Sequence, residues 1–274
     1  MRTLLCNDDG IHAPGITSLF DALAGHAGGP AIGEVMVVAP LTVQSATGHG
    51  ITFREPLMTK RVDVNDRMEG VAVDGRPADC VKLAMSVLWP ERFGVGTRPD
   101  LVVSGMNMGA NVGINVLYSG TVAAALEAAF LGVPAVAVSL HIGAGRPRFD
   151  IAAARAREVI DLLVRGGGGG GGGSVLVPGS CVSINIPITE LEGPMPLIRV
   201  CPMNTHGMID SFRRNENPMG ETYYWSSGTP LEFHATEVGS DVQCLFERCI
   251  TVTPLKHDLT DVSALGRLRA ALGT

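Results

Sequence analysis

The segment Leu4-Leu5-Cys6-Asn7-Asp8-Asp9-Gly10 constrains this chain more than any other, because an apolar strand here runs out onto two adjacent carboxylates and a glycine. Side chains of a strand alternate between faces, so Asp8 and Asp9 converge on one point only where the chain leaves the pleat, a departure that Gly10 permits. Carboxylates held so close repel each other. A hard divalent cation with oxygen ligands relieves that repulsion, and so does protonation of one of the pair. An Asx turn leading into a helix near Pro14 would use the same residues without a metal. The place of the segment, at the carboxyl end of the first strand, favours a ligand site, since open α/β sheets bind ligands there.

Strand-like runs at residues 3–6, 34–39, 70–73, 101–104 and 135–139 alternate with helical periodicity at 15–27, 78–88, 121–131 and 151–165. That rhythm predicts an α/β fold of three layers around a mostly parallel sheet, with residues 182–186 adding a late strand. The 274 residues, 46% of them hydrophobic, suffice for a substantial core. Beyond Pro187 the pattern changes. Pro194, Pro196, Pro202, Pro218 and Pro230 separate short runs such as 222–226 and 249–253, which read as hairpins and extended arms that pack on the body or on a neighbouring subunit.

Several function classes are excluded early. A net charge of -6 with no Lys/Arg stripe argues against a nucleic-acid polymer as partner. No apolar stretch reaches the length of a membrane span, and no apolar h-region follows Met1, so a cytoplasmic protein with no membrane partner is expected. The six cysteines form no CxxC pair and read as reduced core thiols. Eight consecutive glycines, Gly166 to Gly173, lack the Gly-Lys-Ser/Thr of a phosphate loop and follow a helix, so they read as a flexible connection.

Three further segments bring oxygen-rich side chains to strand ends. The loop Thr42-Val43-Gln44-Ser45-Ala46-Thr47-Gly48-His49-Gly50 follows a buried strand and offers a hydroxyl, Ser45 or Thr47, to the same edge as Asp8 and Asp9. In Ser104-Gly105-Met106-Asn107-Met108-Gly109-Ala110-Asn111 an asparagine carbonyl is a neutral ligand for Mg²⁺ or Mn²⁺, and the glycines let backbone N–H groups approach an anion. Tyr118-Ser119-Gly120-Thr121 opens an Ala-rich helix; its start serves either as a simple cap or as a phosphate site. His12 and His49 lie near these segments in sequence and are candidates for proton shuttling, or plain surface and capping residues.

The runs Asn7-Asp8-Asp9-Gly10-Ile11, Val38-Ala39-Pro40 with Ser45, Pro77-Ala78-Asp79-Cys80-Val81-Lys82-Leu83, Val103-Ser104-Gly105-Met106-Asn107, Tyr118-Ser119-Gly120-Thr121-Val122 and Val252-Thr253-Pro254-Leu255 with Asp258-Leu259-Thr260 resemble, in this order, the SurE survival proteins, metal-dependent 5′/3′-nucleotidases. The resemblance implies a Rossmann-like core over residues 1–190 and a C-terminal β-hairpin and arm region over 191–274, used in oligomerisation as a homodimer or homotetramer. It implies one divalent ion per subunit, Mg or Mn, on Asp8, Asp9, Ser45 and Asn107. Asp8 and Asp9 would be catalytic, with Asn7, Gly105, Asn107, Ser119, Gly120 and Thr121 against the phosphate. The expected reaction is hydrolysis of nucleoside 5′-monophosphates, and of 3′-monophosphates too, by a metal-activated water.

Two positions depart from the family pattern. Asn115 stands where many members carry Asp, and Ser240-Asp241-Val242-Gln243-Cys244 replaces a Thr-Asp-Phe-His-Ala run, so that neutral Gln243 has no proton to transfer. These departures leave open the alternative of a catalytically weak, nucleotide-binding regulatory protein.

Overall fold

A computed structural model of the chain describes residues 1–166, 173–189, 193–228 and 231–273. Strand β1 (Arg2–Cys6) is followed by helix α1 (Pro14–Ala24), β2 (Glu34–Pro40), the antiparallel pair β3 (Met58–Asp63) and β4 (Glu69–Asp74), and α2 (Pro77–Leu83). A π turn at Ala84–Leu88 joins α2 to α3 (Trp89–Phe93). Then come β5 (Leu101–Met108), α4 (Gly120–Phe130), β6 (Ala135–Leu140), α5 (Phe149–Arg165), β7 (Cys181–Ile186), β8 (Ile198–Val200), β9 (Phe212–Glu216), β10 (Thr222–Ser226), α6 (Asp241–Phe246), β11 (Ile250–Leu255) and α7 (Val262–Leu272).

The main sheet has the order β3-β4-β2-β1-β5-β6-β7-β11-β8. From β4 to β7 all neighbours are parallel, as the alternating strand and helix runs predict, and the interior strands β5, β6 and β7 are buried over almost their whole length. The chain builds leftward from β1 through β2 to β4 and then returns to build rightward from β1 through β5. The carboxyl ends of β1 and β5 therefore flank the point where the winding reverses, the place where such sheets open a crevice.

Two apolar layers cover the sheet. On one face Ile16, Leu19 and Leu23 of α1 meet Ala152, Ala156 and Ile160 of α5 over Leu5, Val103 and Val138. On the other, Cys80 and Val81 of α2 meet Val122, Ala125 and Ala128 of α4 over Leu4, Cys6 and Val102. The apolar residues of α1 and α5 recur at helical spacing, so each helix buries one stripe; α4 is short-chained and alanine-rich, which lets it sit close to the strands.

Some elements differ from the sequence reading. β3 is polar and exposed, an edge strand whose Lys60 and Arg61 give no apolar alternation, so its pairing with β4 had no local signal. The run at 249–253 belongs to the main sheet, as β11, antiparallel to β7 and flanked by β8. The hairpin of β9 and β10 forms a sheet of its own, with Phe212, Tyr224 and Trp225 exposed. Helix α7 buries none of its residues. The glycine connection read at 166–173 falls, over residues 167–172, outside the described residues. All six cysteines are free and buried, and among the described residues no helix is long and apolar enough to cross a membrane.

Candidate active site at the carboxyl edge of the sheet

The crevice at the winding reversal is a cavity of about 570 Å³ lined by Asp8, Asp9, Ser45, Asn107, Gly109, Asn111, Asn115, Tyr118, His141, Met208 and Leu231, among others. Its size suits a small ligand. The four oxygen donors named from the sequence, on three separate segments, thus reach one space.

Asp8 and Asp9 leave β1 through a turn that is fixed from several sides. Asn7, fully buried, donates its amide to the Gly10 carbonyl at 2.8 Å, and the Ile11 N–H donates to the Pro40 carbonyl at 2.8 Å. Gly10 has φ +93°, the conformation the opening motif demanded. The Gln44 N–H donates to the Asp8 carbonyl at 2.8 Å, tying the loop that carries Ser45 to the same turn.

The Asp8 carboxylate is buried against the start of α4. The Thr121 hydroxyl donates to its Oδ1, and the Thr121 backbone N–H also favours the charged form. A helix start read from sequence as a phosphate cradle thus already faces an anion, and that anion is Asp8. Burial nevertheless dominates and, with the neighbouring Asp9 charge, pushes the Asp8 carboxyl up to about 6. Asp9 is raised as well, again by burial, against a 2.9 Å hydrogen bond donated by the Met108 N–H.

Asn107 and Met108 stand at the end of β5, beyond a register shift between Ser104 and Asn107 in its pairing with β6. Asn107 donates its NH₂ to the Gly109 carbonyl at 2.7 Å, which fixes the amide and leaves its Oδ1 as the acceptor end. Gly105 has φ +143°, and a Cβ there would stand 2.3 Å from the Val138 carbonyl oxygen, so the strand bends only with glycine. Ser119 caps α4, accepting from the Val122 N–H at 3.1 Å. Asn7, Gly105, Ser119, Gly120 and Thr121 are thus not on the cavity wall; they hold the residues that are.

The donor set fits a hard divalent cation. Two adjacent, largely buried carboxylates make no ion pair among the described residues, and burial, with the Asp9 charge beside Asp8, disfavours their ionisation. A neutral amide oxygen and a hydroxyl complete an all-oxygen set of the kind that Mg²⁺ and Mn²⁺ take.

Other sequence candidates lie elsewhere. Thr47 donates to the Gln44 carbonyl at 2.9 Å, so Ser45 is the loop hydroxyl that reaches the cavity. His12 and His49 are both off the wall; the His49 ring bonds Glu127 at 2.8 Å and stacks on Phe130. Gln243 accepts from the Gly239 N–H at 2.6 Å and donates to Glu247 at 2.9 Å, also away from the cavity. Asp241 is buried and accepts the N–H groups of Gly113 at 2.8 Å and Asn204 at 2.9 Å, joining the cavity loop to α6. Sequence reasoning missed His141, Met208 and Leu231. His141 had a signal, since it is the first residue after a fully buried parallel strand, the kind of strand exit that singled out the Asp8 turn. Met208 and Leu231 had none, because their loops reach the cavity from the far end of the chain.

The fold and the cavity together define a doubly wound α/β protein with an oxygen-donor site for a hard cation at its winding reversal. The family model for the Survival protein SurE matches residues 3–209, and the chain belongs to that family. It is 41% identical over 269 residues to a 5′-nucleotidase SurE of Rhodopirellula baltica, covering 98% of both chains. With a 5′-nucleotidase SurE of Solidesulfovibrio magneticus it shares 40% over 280 residues, covering 100% of this chain and 98% of the relative. The crystal structure of the SurE protein from Aquifex aeolicus superposes with a TM-score of 0.79 at 31% identity, over 99% of this chain and 100% of that one.

Proposed function

We propose that this protein is a divalent-metal-dependent phosphomonoesterase that hydrolyses nucleoside 5′-monophosphates, and 3′-monophosphates as well, to nucleoside and phosphate. The observation that carries the reading is the meeting of Asp8, Asp9, Ser45 and Asn107 in one cavity, in a chain whose near relatives are 5′-nucleotidases. These four residues would hold one Mg²⁺ or Mn²⁺ per subunit. Such an ion supplies charge neutralisation at the phosphoryl group and a water of lowered pKa.

The chain's own groups do the positioning. Thr121 and the start of α4 favour the charged form of Asp8 and aim it, and the Met108 N–H does the same for Asp9. The Asn107 amide is locked on Gly109, so its oxygen is presented without rearrangement. Asn111, held by Ser139 at 2.8 Å and by Asn185 at 2.8 Å, stiffens the wall on which a substrate would lie. Fixed dipoles of this kind cost no reorganisation when charge develops on the phosphoryl oxygens.

Three further readings complete the proposal. The exposed Phe212, Tyr224 and Trp225 of the β9–β10 hairpin support pairing with a second copy, as a homodimer or homotetramer. Six unbridged cysteines suit the reducing cytoplasm. Residues 1–190 form the catalytic core, and within 191–274 the hairpin and α7 are the parts that stand off it.

The test is phosphate release from a panel of 5′- and 3′-mononucleotides with Mg²⁺ or Mn²⁺, repeated after EDTA. Release that depends on metal supports the reading. Folded protein that binds nucleotide but releases no phosphate with any metal overturns it in favour of a regulatory binding protein.

A further inference from the structure

We propose that His141 is the proton donor to the departing ester oxygen, an inference that rests on the phosphomonoesterase reading above. A phosphate monoester breaks only when both halves of the scissile bond are stabilised. The metal-binding end of the cavity deals with the phosphoryl group, but the alcohol oxygen of a nucleotide leaves as a strongly basic alkoxide unless a proton meets it.

Among the residues on the wall, few can supply that proton. Asp8 and Asp9 are committed as ligands, and Asn111 and Asn115 carry amides that do not transfer protons near neutral pH. Tyr118 is exposed to solvent. Gln243 is neutral and bonded elsewhere, and His12 and His49 are off the wall. His141 carries the imidazole that lines the space, and imidazole is the side chain whose ordinary titration lies near neutral pH.

Its position is built rather than accidental. It is the first residue beyond β6, and its backbone N–H donates to the Ile186 carbonyl at 2.9 Å; the preceding Leu140 carbonyl accepts the Gly109 N–H at 3.0 Å. The ring stands edge-on against Phe246 of α6, centroids 5.5 Å apart at 83°. Nδ1 of the ring is shielded from solvent. β6 lies next to β5 in the sheet, which puts His141 one strand across from Asn107 and two strands from the Asp8 turn.

The step balances as an ordinary hydrolysis. Water adds to phosphorus, the bond from phosphorus to the ribose oxygen breaks, and its electron pair stays on that oxygen. That oxygen takes the proton of the His141 imidazolium and leaves as the free hydroxyl of the nucleoside. The proton lost by the attacking water passes to solvent, from which the imidazole is recharged.

The experiment compares two leaving groups on the full-length, Mn²⁺-loaded protein. Adenosine 5′-monophosphate departs as an alcohol that needs a proton, whereas p-nitrophenyl phosphate departs as a phenolate that does not. His141→Gln and His141→Asn should each lower kcat on adenosine 5′-monophosphate by about 10²–10³, leave p-nitrophenyl phosphate turnover nearly unchanged, and keep the wild-type melting temperature. Phe246→Leu, which loosens the ring that orients His141, should give a smaller loss with the same selectivity. Equal losses on both substrates in either folded His141 variant, or no loss on either, overturn the assignment. A wild-type protein that cleaves p-nitrophenyl phosphate but not the nucleotide overturns the nucleotidase reading itself, and the proton donor falls with it.

Discussion

Gly120 lies so close to Asp8 that a Cβ added to it would stand 2.9 Å from the Asp8 Cβ and 3.0 Å from the Pro77 ring. The first residue of α4 is therefore small because a carboxylate occupies the helix start. Gly120→Ala should displace Asp8 by a fraction of an ångström while α4 still forms. Activity on nucleoside monophosphates should fall by roughly 10-fold to 100-fold, with unchanged circular dichroism. A fully active variant would show that Asp8 tolerates the shift and plays no precise part.

The Thr121 hydroxyl stabilises the charged form of Asp8 against burial. Thr121→Val removes that donor at nearly constant volume. Mn²⁺ affinity measured by calorimetry should weaken by about 10–100-fold, as for other partners that orient a ligand, and Thr121→Ser should restore most of it. Unaltered affinity in the valine variant would sever Thr121 from the metal site.

Glu127 is buried on α4, where burial opposes its charge, but His49 at 2.8 Å and Lys82 at 3.2 Å outweigh that cost and hold its carboxyl below the usual range. A depressed folded pKa means stability present above the unfolded value and lost as pH falls through the folded one. The wild-type melting temperature should therefore drop on acidification below about pH 4.5. Glu127→Gln should be less stable at neutral pH and lack this part of the drop, so the two curves converge in acid. Parallel curves would mean that the Glu127 cluster contributes nothing to acid sensitivity.

Gly105 combines φ +143° with a close approach: a Cβ added there would stand 2.3 Å from the Val138 carbonyl oxygen. Gly105→Ala should cost about 1–3 kcal/mol from the backbone conformation alone, and more from the clash in the centre of the sheet. Chemical denaturation would measure it, and a loss below about 0.5 kcal/mol would fall in the range of neutral surface changes and contradict the geometry.

Much of the site was legible in the chain because it depends on short-range pattern. The strand that ends at Asp8 and Asp9, the strand that ends near Asn107, and the capped start of α4 each announce themselves by apolar runs followed by glycines and polar side chains. A parallel sheet then places successive strand ends on one edge, so the convergence of Asp8, Asp9, Ser45 and Asn107 follows from topology. The choice of Ser45 over Thr47 did not follow from the residues, because both hydroxyls sit in one loop and only its hydrogen bonds decide which reaches the cavity.

By itself the sequence determined the α/β rhythm, the carboxylate turn and the glycines at 10 and 105, because these depend on backbone conformation and periodicity over a few residues. Tertiary structure alone decided that β11 and β8 extend the sheet, that Asp8 rather than a ligand meets the start of α4, and that His141, Met208 and Leu231 close the cavity. Those relations join residues from dozens to more than two hundred positions apart, and packing, which no local pattern encodes, is what brings them into contact.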